Sequence, residues 1–255
     1  FRAFVEAANR KGLRIIKDMV FNHFGTSHWW MNDLPMKDWI NQWPAFTRSN
    51  YRGGTLTDPY ASNSDKKLML QGWFDRTMAD FNQQNPHVAK YLIQNSIWWV
   101  EYAGLDGIRV DTYPYSGKDF MAEWMQQLRH EYPHFSVVGE VWLNTAPQVA
   151  YWMEDASNAD GFNSHLNYLF DFPLKYAIGS AFNEENSWST GISRLYESLS
   201  LDFLYSNPHK LINFADNHDT DRIFTLLNED LRKYKMAMAF LMTVRGLPQI
   251  YYGTE

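Results

Sequence analysis

The sequence has 255 residues, of which 45% are hydrophobic and 20% are charged, a composition typical of a globular domain with a sizeable core. No run of about 20 uncharged apolar residues occurs, which argues against a membrane-spanning helix. The net charge of -6 comes without a basic block of the kind that binds nucleic acid. Cysteine is absent, which excludes disulfides and thiolate metal sites. The compartment stays open, with a periplasmic or secreted location favoured over a cytoplasmic one.

The first residues place apolar side chains from Phe1 to Ala8 at the spacing of one helix face, and Gly12 is a suitable helix stop. We therefore expect the chain to begin inside a helix. It ends at Glu255 directly after an apolar run, and no leader segment is visible. Both ends together predict a fragment of a longer protein.

Beyond Gly12 the chain alternates apolar runs with helical stretches, which is typical of parallel βαβ units. The predicted strands are residues 14–21, 107–110, 136–141, 161–163, 211–215 and 249–252. The predicted helices include residues 86–103, 121–132 and 230–244. This order predicts an α/β fold, an incomplete (β/α)8 TIM barrel with about six of its eight βα units, lacking its first two strands and last helix. A doubly wound open sheet is the structural alternative.

About 60 residues separate the first predicted strand from the helix at Pro86, where a barrel connection needs only a handful. We predict that residues 23–85 form a small inserted subdomain after the third barrel strand, while residues 1–22 and 86–255 form the partial barrel. Inserts at the carboxyl end of a barrel strand lie over the active site.

Polar residues close four of the apolar runs, at the strand ends where a barrel carries its catalytic groups. The four runs are Asp18 to His23, Gly107 to Asp111, Val138 to Trp142, and Phe214 to Asp219. Each acidic residue alone is equally typical of a helix N-cap. Together the runs bring three carboxylates, an arginine and two histidines to one barrel mouth. Glycoside hydrolysis needs such a mouth, because one carboxyl group must hold a proton while another stays ionised.

These four runs resemble the four ordered motifs of the α-amylase family of glycoside hydrolases. Residues 78–83 and 246–255 resemble two further motifs of that family, so the resemblance extends over nearly the whole chain. It implies that Asp111 is the nucleophile of a covalent glycosyl intermediate and that Glu140 is the general acid and then the base. Asp219 would stabilise the charged transition state.

The neighbours of these carboxylates suggest how each is tuned. Arg109 lies two residues before Asp111 on the same face of its strand, where its guanidinium would keep the carboxylate ionised and oriented. Trp142 would supply an apolar wall that raises the pKa of Glu140.

Further substrate contacts follow from the same resemblance. His23 and His218 resemble the pair that hydrogen-bonds hydroxyls of the sugar under attack. The alternative for each histidine is a buried imidazole that only orients a loop. Trp142 and Tyr113 are also expected to contact substrate. Aromatic residues make up 17% of the chain, and their flat faces suit sugar stacking, although many would simply fill a core.

No cofactor is required for this chemistry, but a structural calcium ion is implied at Asn22, which in many relatives helps hold one between barrel and insert. Oxygen ligands from the insert would be Asp58, Asn63 and Asp65, which are equally normal turn residues.

Two departures from the family pattern bear on the substrate, an α-glucan oligosaccharide. Asp111 is followed by Thr112 to Tyr115 instead of the Lys-His pair common in starch-degrading members. Val141-Trp142 and residues 85–92 resemble the cyclomaltodextrinase and neopullulanase branch, whereas Ala79 stands where that branch usually has Pro. We expect endo-acting hydrolysis of α-1,4 bonds in cyclodextrins, pullulan and maltooligosaccharides. Transglycosylation by the same site is one alternative, and a non-catalytic sugar-binding or partner protein of the same fold is another. The oligomeric state stays open.

Overall fold

The computed structural model describes residues 1–255, which divide into two units. The first unit comprises residues 1–140 with 164–166, and the second comprises residues 141–163 with 167–255. Both units contain parallel strands that alternate with helices, as the sequence predicts for an α/β fold. None of the helices has both the length and the apolar character that crossing a membrane requires.

The first unit contains four α-helices, five strands and three short 3-10 turns. Its helices are α1 (Arg2–Asn9), α2 (Asn63–Gln71), α3 (Pro86–Ala103) and α4 (Lys118–Glu131). Its strands are β1 (Ile16–Val20), β2 (His23–Gly25), β3 (Met78–Asp80), β4 (Gly107–Asp111) and β5 (Ser136–Gly139). The 3-10 turns are Trp29–Met31, Gly53–Leu56 and Tyr113–Ser116. Strands β1, β4 and β5 pair in parallel in that order, and β2 pairs with β3 in an antiparallel ribbon.

Helix α3 has the bounds that its local sequence predicts. The Asn85 side chain accepts a hydrogen bond from the backbone N–H of His87, and Pro86 occupies the first turn, where its missing N–H costs nothing. The helix ends at Gly104, whose φ of 69° is the left-handed conformation that glycine adopts most easily. Its inner face is tied to α4, because Trp124 Nε1 donates to Ser96 Oγ at 2.9 Å.

Strand β4 positions the acidic and basic groups of the first unit. Ile108 and Val110 are fully buried, while Arg109 and Asp111 on the opposite face are only partly buried. Gly107 permits the close approach of β5, since a Cβ atom there would lie 2.8 Å from the carbonyl oxygen of Ser136. The alternation therefore presents Arg109 and Asp111 together on one side of the strand.

The segment predicted as an insert is anchored at both ends by the β2–β3 ribbon, in which His23 is paired with Asp80. Its interior is fixed by two indole donors: Trp43 Nε1 donates to the Gln71 carbonyl at 2.8 Å, and Trp73 Nε1 donates to the Asn41 carbonyl at 2.7 Å. The boundaries at residues 23 and 85 stay a prediction.

The second unit contains five α-helices, three strands and two 3-10 turns. Its helices are α5 (Ala146–Ala150), α6 (Phe172–Asn183), α7 (Ser193–Leu199), α8 (Ile223–Leu226) and α9 (Leu231–Thr243). Its strands are β6 (Tyr168–Phe170), β7 (Leu211–Asn213) and β8 (Leu247–Pro248), paired in parallel in that order. The 3-10 turns are Asp202–Leu204 and Pro208–Lys210. Its core is formed by buried side chains that include Leu174, Ile178, Phe182, Leu195, Ile223 and Leu241.

Two of the predicted strands are wrong. Residues 161–163 form a loop, because Gly161 has a left-handed φ of 72° and Asn163 exchanges hydrogen bonds with Asp155; the strand of this region is β6. Residues 249–252 follow the strand instead of forming it. Pairing with β7 ends where Gln249 N–H donates to the Asn213 carbonyl, and a turn closed by Thr254 N–H on the Tyr251 carbonyl comes next.

Candidate active site

Arg109 is the centre of the charged site in the first unit. Its Nη1 lies 2.8 Å from Asp111 Oδ1 and 2.9 Å from Asp18 Oδ1, and its Nη2 lies 2.7 Å from Glu140 Oε1. Burial disfavours the charged guanidinium, but the ion pairs with Glu140, Asp18 and Asp111 outweigh burial and raise the pKa of Arg109. The predicted Arg109–Asp111 contact is therefore present, and the guanidinium also joins two carboxylates from other parts of the chain.

The Asp111 carboxylate is held at both of its oxygens. Oδ1 accepts from Arg109, and Oδ2 accepts from the Thr112 hydroxyl at 3.1 Å. Thr112 has a φ of 45°, so the chain leaves β4 through a left-handed residue before the 3-10 turn Tyr113–Ser116. These contacts fix one orientation of the carboxylate.

Glu140 follows β5 directly and is 3% exposed. Its backbone is fixed to the adjoining strand, because its N–H donates to the Val110 carbonyl and its carbonyl accepts from Tyr113 N–H. Its Oε2 accepts from the backbone N–H of Thr112 at 3.0 Å. The sequence led us to expect a proton on Glu140, and that proton has to compete with the Arg109 ion pair and the Thr112 N–H, both of which favour the carboxylate.

His23 lies near Asp111 with its ring stacked on Phe74, at 5.2 Å between ring centroids and an interplanar angle of 23°. Burial lowers the pKa of His23, while the Asp111 charge acts in the opposite direction. Asn22 Nδ2 lies 3.3 Å from His23 Nδ1. With the amide in this orientation the imidazole carries its proton on Nε2, where it can be donated to a substrate hydroxyl. With the amide turned over, the proton is on Nδ1 and Nε2 accepts from a hydroxyl instead.

Tyr113 does not form the predicted substrate contact. Its side chain is fully buried, and its ring lies so close to Gly139 that a Cβ atom there would be 3.0 Å from it. The reason is the 3-10 turn after β4, which directs Tyr113 into the core and leaves Tyr115 partly exposed. Burial, with Tyr51, Glu140 and Asp111 nearby, raises the pKa of Tyr115 to about 12. Tyr115 therefore lies close to both carboxylates, where the sequence had placed Tyr113.

Asn22 is 1% exposed, and its amide oxygen faces Asp80 Oδ1 and the Tyr115 carbonyl oxygen, 3.2 Å from each. An amide that turns its nitrogen toward these two acceptors satisfies both of them. A calcium ion at Asn22, as the sequence led us to expect, would instead need the amide oxygen to stay on this side. Burial raises the pKa of Asp80 well above its ordinary value, against the hydrogen bond from Asn41. Oxygen ligands of this kind fit calcium.

Two of the three insert residues named as calcium ligands, Asp58 and Asp65, have other partners. Asp65 pairs with Arg52 at 3.1 Å, and Asp58 accepts from the backbone N–H of Tyr60. No group of three or more His, Cys, Asp or Glu side chains is placed to hold a metal ion. Any calcium ion at Asn22 would therefore depend on Asp80 and on the Tyr115 carbonyl.

In the second unit, Trp142 presents an indole ring that is 40% exposed. Its Nε1 donates to the Tyr176 hydroxyl at 2.6 Å, and its ring stacks on Phe172 with centroids 5.0 Å apart. The ring is thus held flat on one side and open on the other, which suits a sugar contact. Its predicted effect on the pKa of Glu140 stays a prediction.

Asp219 and His218 follow β7 in the second unit and contact each other, with His218 Nε2 3.0 Å from Asp219 Oδ2. Both side chains are about half exposed, at 53% and 44%. Asp216 has a different role, because it is 2% exposed and accepts from Ile223 N–H and from the Thr254 hydroxyl. Asp219 is therefore the acidic residue of this run that is open to a ligand.

Several contacting residues were missed by sequence reasoning. Thr112 and Tyr115 lie within the segment that replaces the Lys-His pair, and this departure from the family pattern is the signal that could have revealed them. Phe74 and Tyr51 carry no motif, and only the folded insert brings their rings to Tyr115.

The whole of this sequence, residues 1–255, matches the alpha-amylase catalytic domain family. The chain belongs to the α-amylase family. Among solved structures it resembles the α-amylase from Geobacillus thermoleovorans complexed with acarbose, with a TM-score of 0.79 and 27% identity over 100% of this chain and 52% of that one. An Anoxybacillus α-amylase gives a TM-score of 0.80 and 26% identity over 99% of this chain and 51% of that one. These likenesses confirm the predicted α/β barrel class.

The curated relatives of this α-amylase family member carry several names. It is 28% identical over 265 residues to an intracellular maltogenic amylase of Bacillus subtilis (strain 168) and 29% identical over 269 residues to neopullulanase 2 of Thermoactinomyces vulgaris. It is 29% identical over 267 residues to a cyclomaltodextrin glucanotransferase of Bacillus sp. (strain 6.6.3). Each comparison covers 100% of this chain, but only 40%, 40% and 34% of the respective relative. The chain thus spans about two fifths of the length of these relatives.

Proposed function

We propose that the protein containing this chain is a retaining glycoside hydrolase that cleaves α-1,4 bonds within α-glucans. The observation that carries the proposal is that Arg109 binds both Asp111 and Glu140, at 2.8 and 2.7 Å. Two carboxyl groups at one site are what a retaining mechanism requires, one as nucleophile and the other as acid and base.

Asp111 is the proposed nucleophile. Arg109 and the Thr112 hydroxyl donate to opposite oxygens of its carboxylate, so the group is held in one orientation before substrate binds. Attack on the anomeric carbon would form a covalent glycosyl-Asp111 intermediate while the leaving oxygen takes up a proton.

Glu140 is the proposed donor of that proton and the base that later activates water. Once it has lost the proton, Arg109 and the Thr112 N–H stabilise its carboxylate. His23, whose pKa is lowered by burial, would act as a neutral hydrogen-bonding partner of a hydroxyl on the same sugar.

Asp219 and His218 enter the proposal from the family resemblance, as a transition-state stabiliser and a second hydroxyl donor. Their exposed side chains leave both free to meet a ligand. Trp142 would add an aromatic contact.

A calcium ion is proposed at the oxygens of Asn22, Asp80 and the Tyr115 carbonyl. It would link the insert to the barrel without taking part in any chemical step.

The proposed substrates are cyclodextrins, pullulan and maltooligosaccharides. Relatives named neopullulanase and cyclomaltodextrinase, at 29% and 26% identity, support this class, as does the Thr112 to Tyr115 segment in place of a Lys-His pair. An inserted subdomain at residues 23–85 would contribute to the choice of substrate. A periplasmic or secreted location is also part of the proposal.

Transglycosylation is the second candidate, because relatives named cyclomaltodextrin glucanotransferase are as similar as the hydrolases, at 29% identity. A sugar hydroxyl would then replace water as acceptor at the same intermediate. A non-catalytic role finds less support, since all three carboxylates are retained.

The test is to incubate the full-length protein with cyclodextrin, pullulan, amylose and maltotriose and to follow initial rates and product anomers. We expect α-anomeric first products and faster cleavage of cyclodextrin or pullulan than of amylose. A β-anomeric first product would contradict retention, faster amylose cleavage would contradict the substrate class, and products longer than the substrate would favour transglycosylation.

A further inference from the structure

Four rings of the first unit form a continuous row beside the proposed nucleophile and acid. His23 stacks on Phe74 at 5.2 Å, Phe74 meets Tyr115 at 5.5 Å, and Tyr115 meets Tyr51 at 6.4 Å, all between ring centroids. Tyr51 also contacts Phe74 directly, at 5.4 Å with rings 72° apart. We call this set the aromatic row.

The two ends of the aromatic row differ in their surroundings. His23 is at the end near Asp111, and Tyr115 lies near both Asp111 and Glu140. Tyr51 forms the outer end and is 45% exposed, whereas the other three members are partly buried. Tyr51 therefore extends the row from the carboxylates toward solvent.

The backbone at Tyr51 is in a conformation that L-amino acids seldom adopt. Its φ of 55° is a left-handed conformation that aromatic residues rarely adopt. Such strain persists only where the surroundings impose it, and it clusters at functional sites.

The surroundings that impose this conformation are hydrogen bonds on both sides of the residue. Tyr51 N–H donates to Ser49 Oγ at 3.2 Å, and Arg52 N–H donates to Asn50 Oδ1 at 3.0 Å. Asn50 Nδ2 and the Arg52 guanidinium both bind Asp65, at the first turn of α2. The loop is thus fastened to a helix with Tyr51 at its tip.

The orientation of the Tyr51 ring is fixed as well. Its hydroxyl donates to the Phe74 carbonyl at 2.5 Å, so the ring cannot swing away from the row. A ring that is held at its hydroxyl and at its backbone, with much of its surface open, is preorganised to receive a flat apolar partner. The C–H face of a glucose ring is such a partner.

We propose that Tyr51 is a substrate-contacting residue that the insert provides, stacking on a glucose unit beyond the one attacked by Asp111. This inference rests on the proposed α-glucan hydrolase function. It assigns the strained loop a role in affinity for oligosaccharides and leaves the bond-breaking step to the carboxylates.

The test uses the full-length protein with maltoheptaose and three variants. Tyr51→Gly removes the ring and suits the left-handed backbone, so we expect KM to rise about five- to tenfold, as the loss of one aromatic contact implies. Its kcat should stay within about twofold of wild type, because no group that touches the bond is changed. The unfolding midpoint is measured beside it, because glycine relieves the backbone strain but removes the hydrogen bond to the Phe74 carbonyl. Tyr51→Phe keeps the ring and should retain most of the affinity.

Tyr60→Ala is the matched control, since Tyr60 is a tyrosine of the same segment that is 94% exposed; its KM should equal that of wild type. An unchanged KM in Tyr51→Gly overturns the inference, whatever happens to the unfolding midpoint. Where glycine loosens the loop, Tyr51→Asn repeats the test, because asparagine also tolerates this backbone.

Failure of the proposed function is recognised separately. If the wild-type protein releases no sugar from any α-glucan, calorimetric binding of maltoheptaose to wild type and to Tyr51→Gly still tests the contact. Weaker binding to the variant supports it, and equal binding or no binding to either protein contradicts it.

Discussion

The acidic residues of the two units are held in contrasting ways. In the first unit Asp111 and Glu140 share one guanidinium, and their side chains are only 20% and 4% exposed. In the second unit Asp219 is 44% exposed and contacts a histidine that is itself 53% exposed. Orientation is thus built into the folded chain around Arg109, whereas Asp219 has freedom to adjust to whatever it binds.

The largest effect should come from removing either kind of carboxylate, and stability should distinguish them. Asp111→Asn and Asp219→Asn should each lower kcat by about a thousandfold or more, because both carry the proposed chemistry. Asp111→Asn should also lower the unfolding midpoint by several degrees, since it breaks a partly buried ion pair. Asp219→Asn should leave the midpoint within about one degree of wild type. Equal changes in the midpoint would contradict the contrast.

Replacing Arg109 by Lys should have the next largest effect. The positive charge is kept, but an ammonium cannot make the planar contacts that join Asp111, Glu140 and Asp18. We expect kcat to fall about a hundredfold in steady-state assays. Asp18→Asn is the control, because Asp18 is 56% exposed and its loss should cost less than about tenfold. Wild-type rates for Arg109→Lys would show that the joint contact is dispensable.

Calcium should stabilise the first unit if a cation lies between the oxygens of Asn22, Asp80 and Tyr115. Saturating calcium would then raise the unfolding midpoint by about 5 °C or more relative to protein treated with chelator. Asn22→Asp is informative because it places a second carboxylate beside Asp80. With a cation bound, the second carboxylate should strengthen binding; without a cation, the two carboxylates repel each other and the unfolding midpoint should fall. No response to calcium, together with a lower midpoint for Asn22→Asp, would assign the site to an amide that donates to both oxygens.

The smallest effects are expected at Trp142 in the second unit. Trp142→Phe should raise KM for maltooligosaccharides about threefold, because part of the stacking surface and the hydrogen bond to Tyr176 are lost. Tyr176→Phe removes only the acceptor of that bond, and water can replace it at a half-exposed indole, so a smaller change is expected. A larger effect from Tyr176→Phe than from Trp142→Phe would mean that the hydroxyl acts directly on substrate.

The parts of the fold that sequence predicted well carry their own local signals. Helix α3 was predicted to the residue because Asn85, Pro86 and Gly104 mark its ends by side-chain chemistry and backbone preference. Residues 161–163 were predicted wrongly because their composition does not reveal the left-handed φ of Gly161. The three parallel strands of each unit pair through backbone groups, and no side-chain pattern marks where such pairing ends.

In the candidate site too, the contacts that depend on local sequence were predictable and the contacts between distant residues were not. The Arg109–Asp111 contact follows from the two-residue period of a strand, which is a local property. The contacts of Arg109 with Asp18 and Glu140 join residues far apart in sequence, so only the paired strands reveal them. Tyr113 was predicted in place of Tyr115 because the sequence does not reveal the 3-10 turn after β4, which directs Tyr113 into the core.

The charges around Arg109 have a consequence for the course of the proposed reaction. While Glu140 holds its proton, one guanidinium faces two carboxylates, and the cluster carries one excess negative charge. Transfer of the proton before the Asp111 ester has formed leaves three carboxylates around the same guanidinium, so the excess doubles until that ester forms. The anionic field would therefore be strongest at the moment when the sugar ring acquires positive charge, and protonated amino sugars should bind to this cluster more tightly than neutral sugars of the same shape.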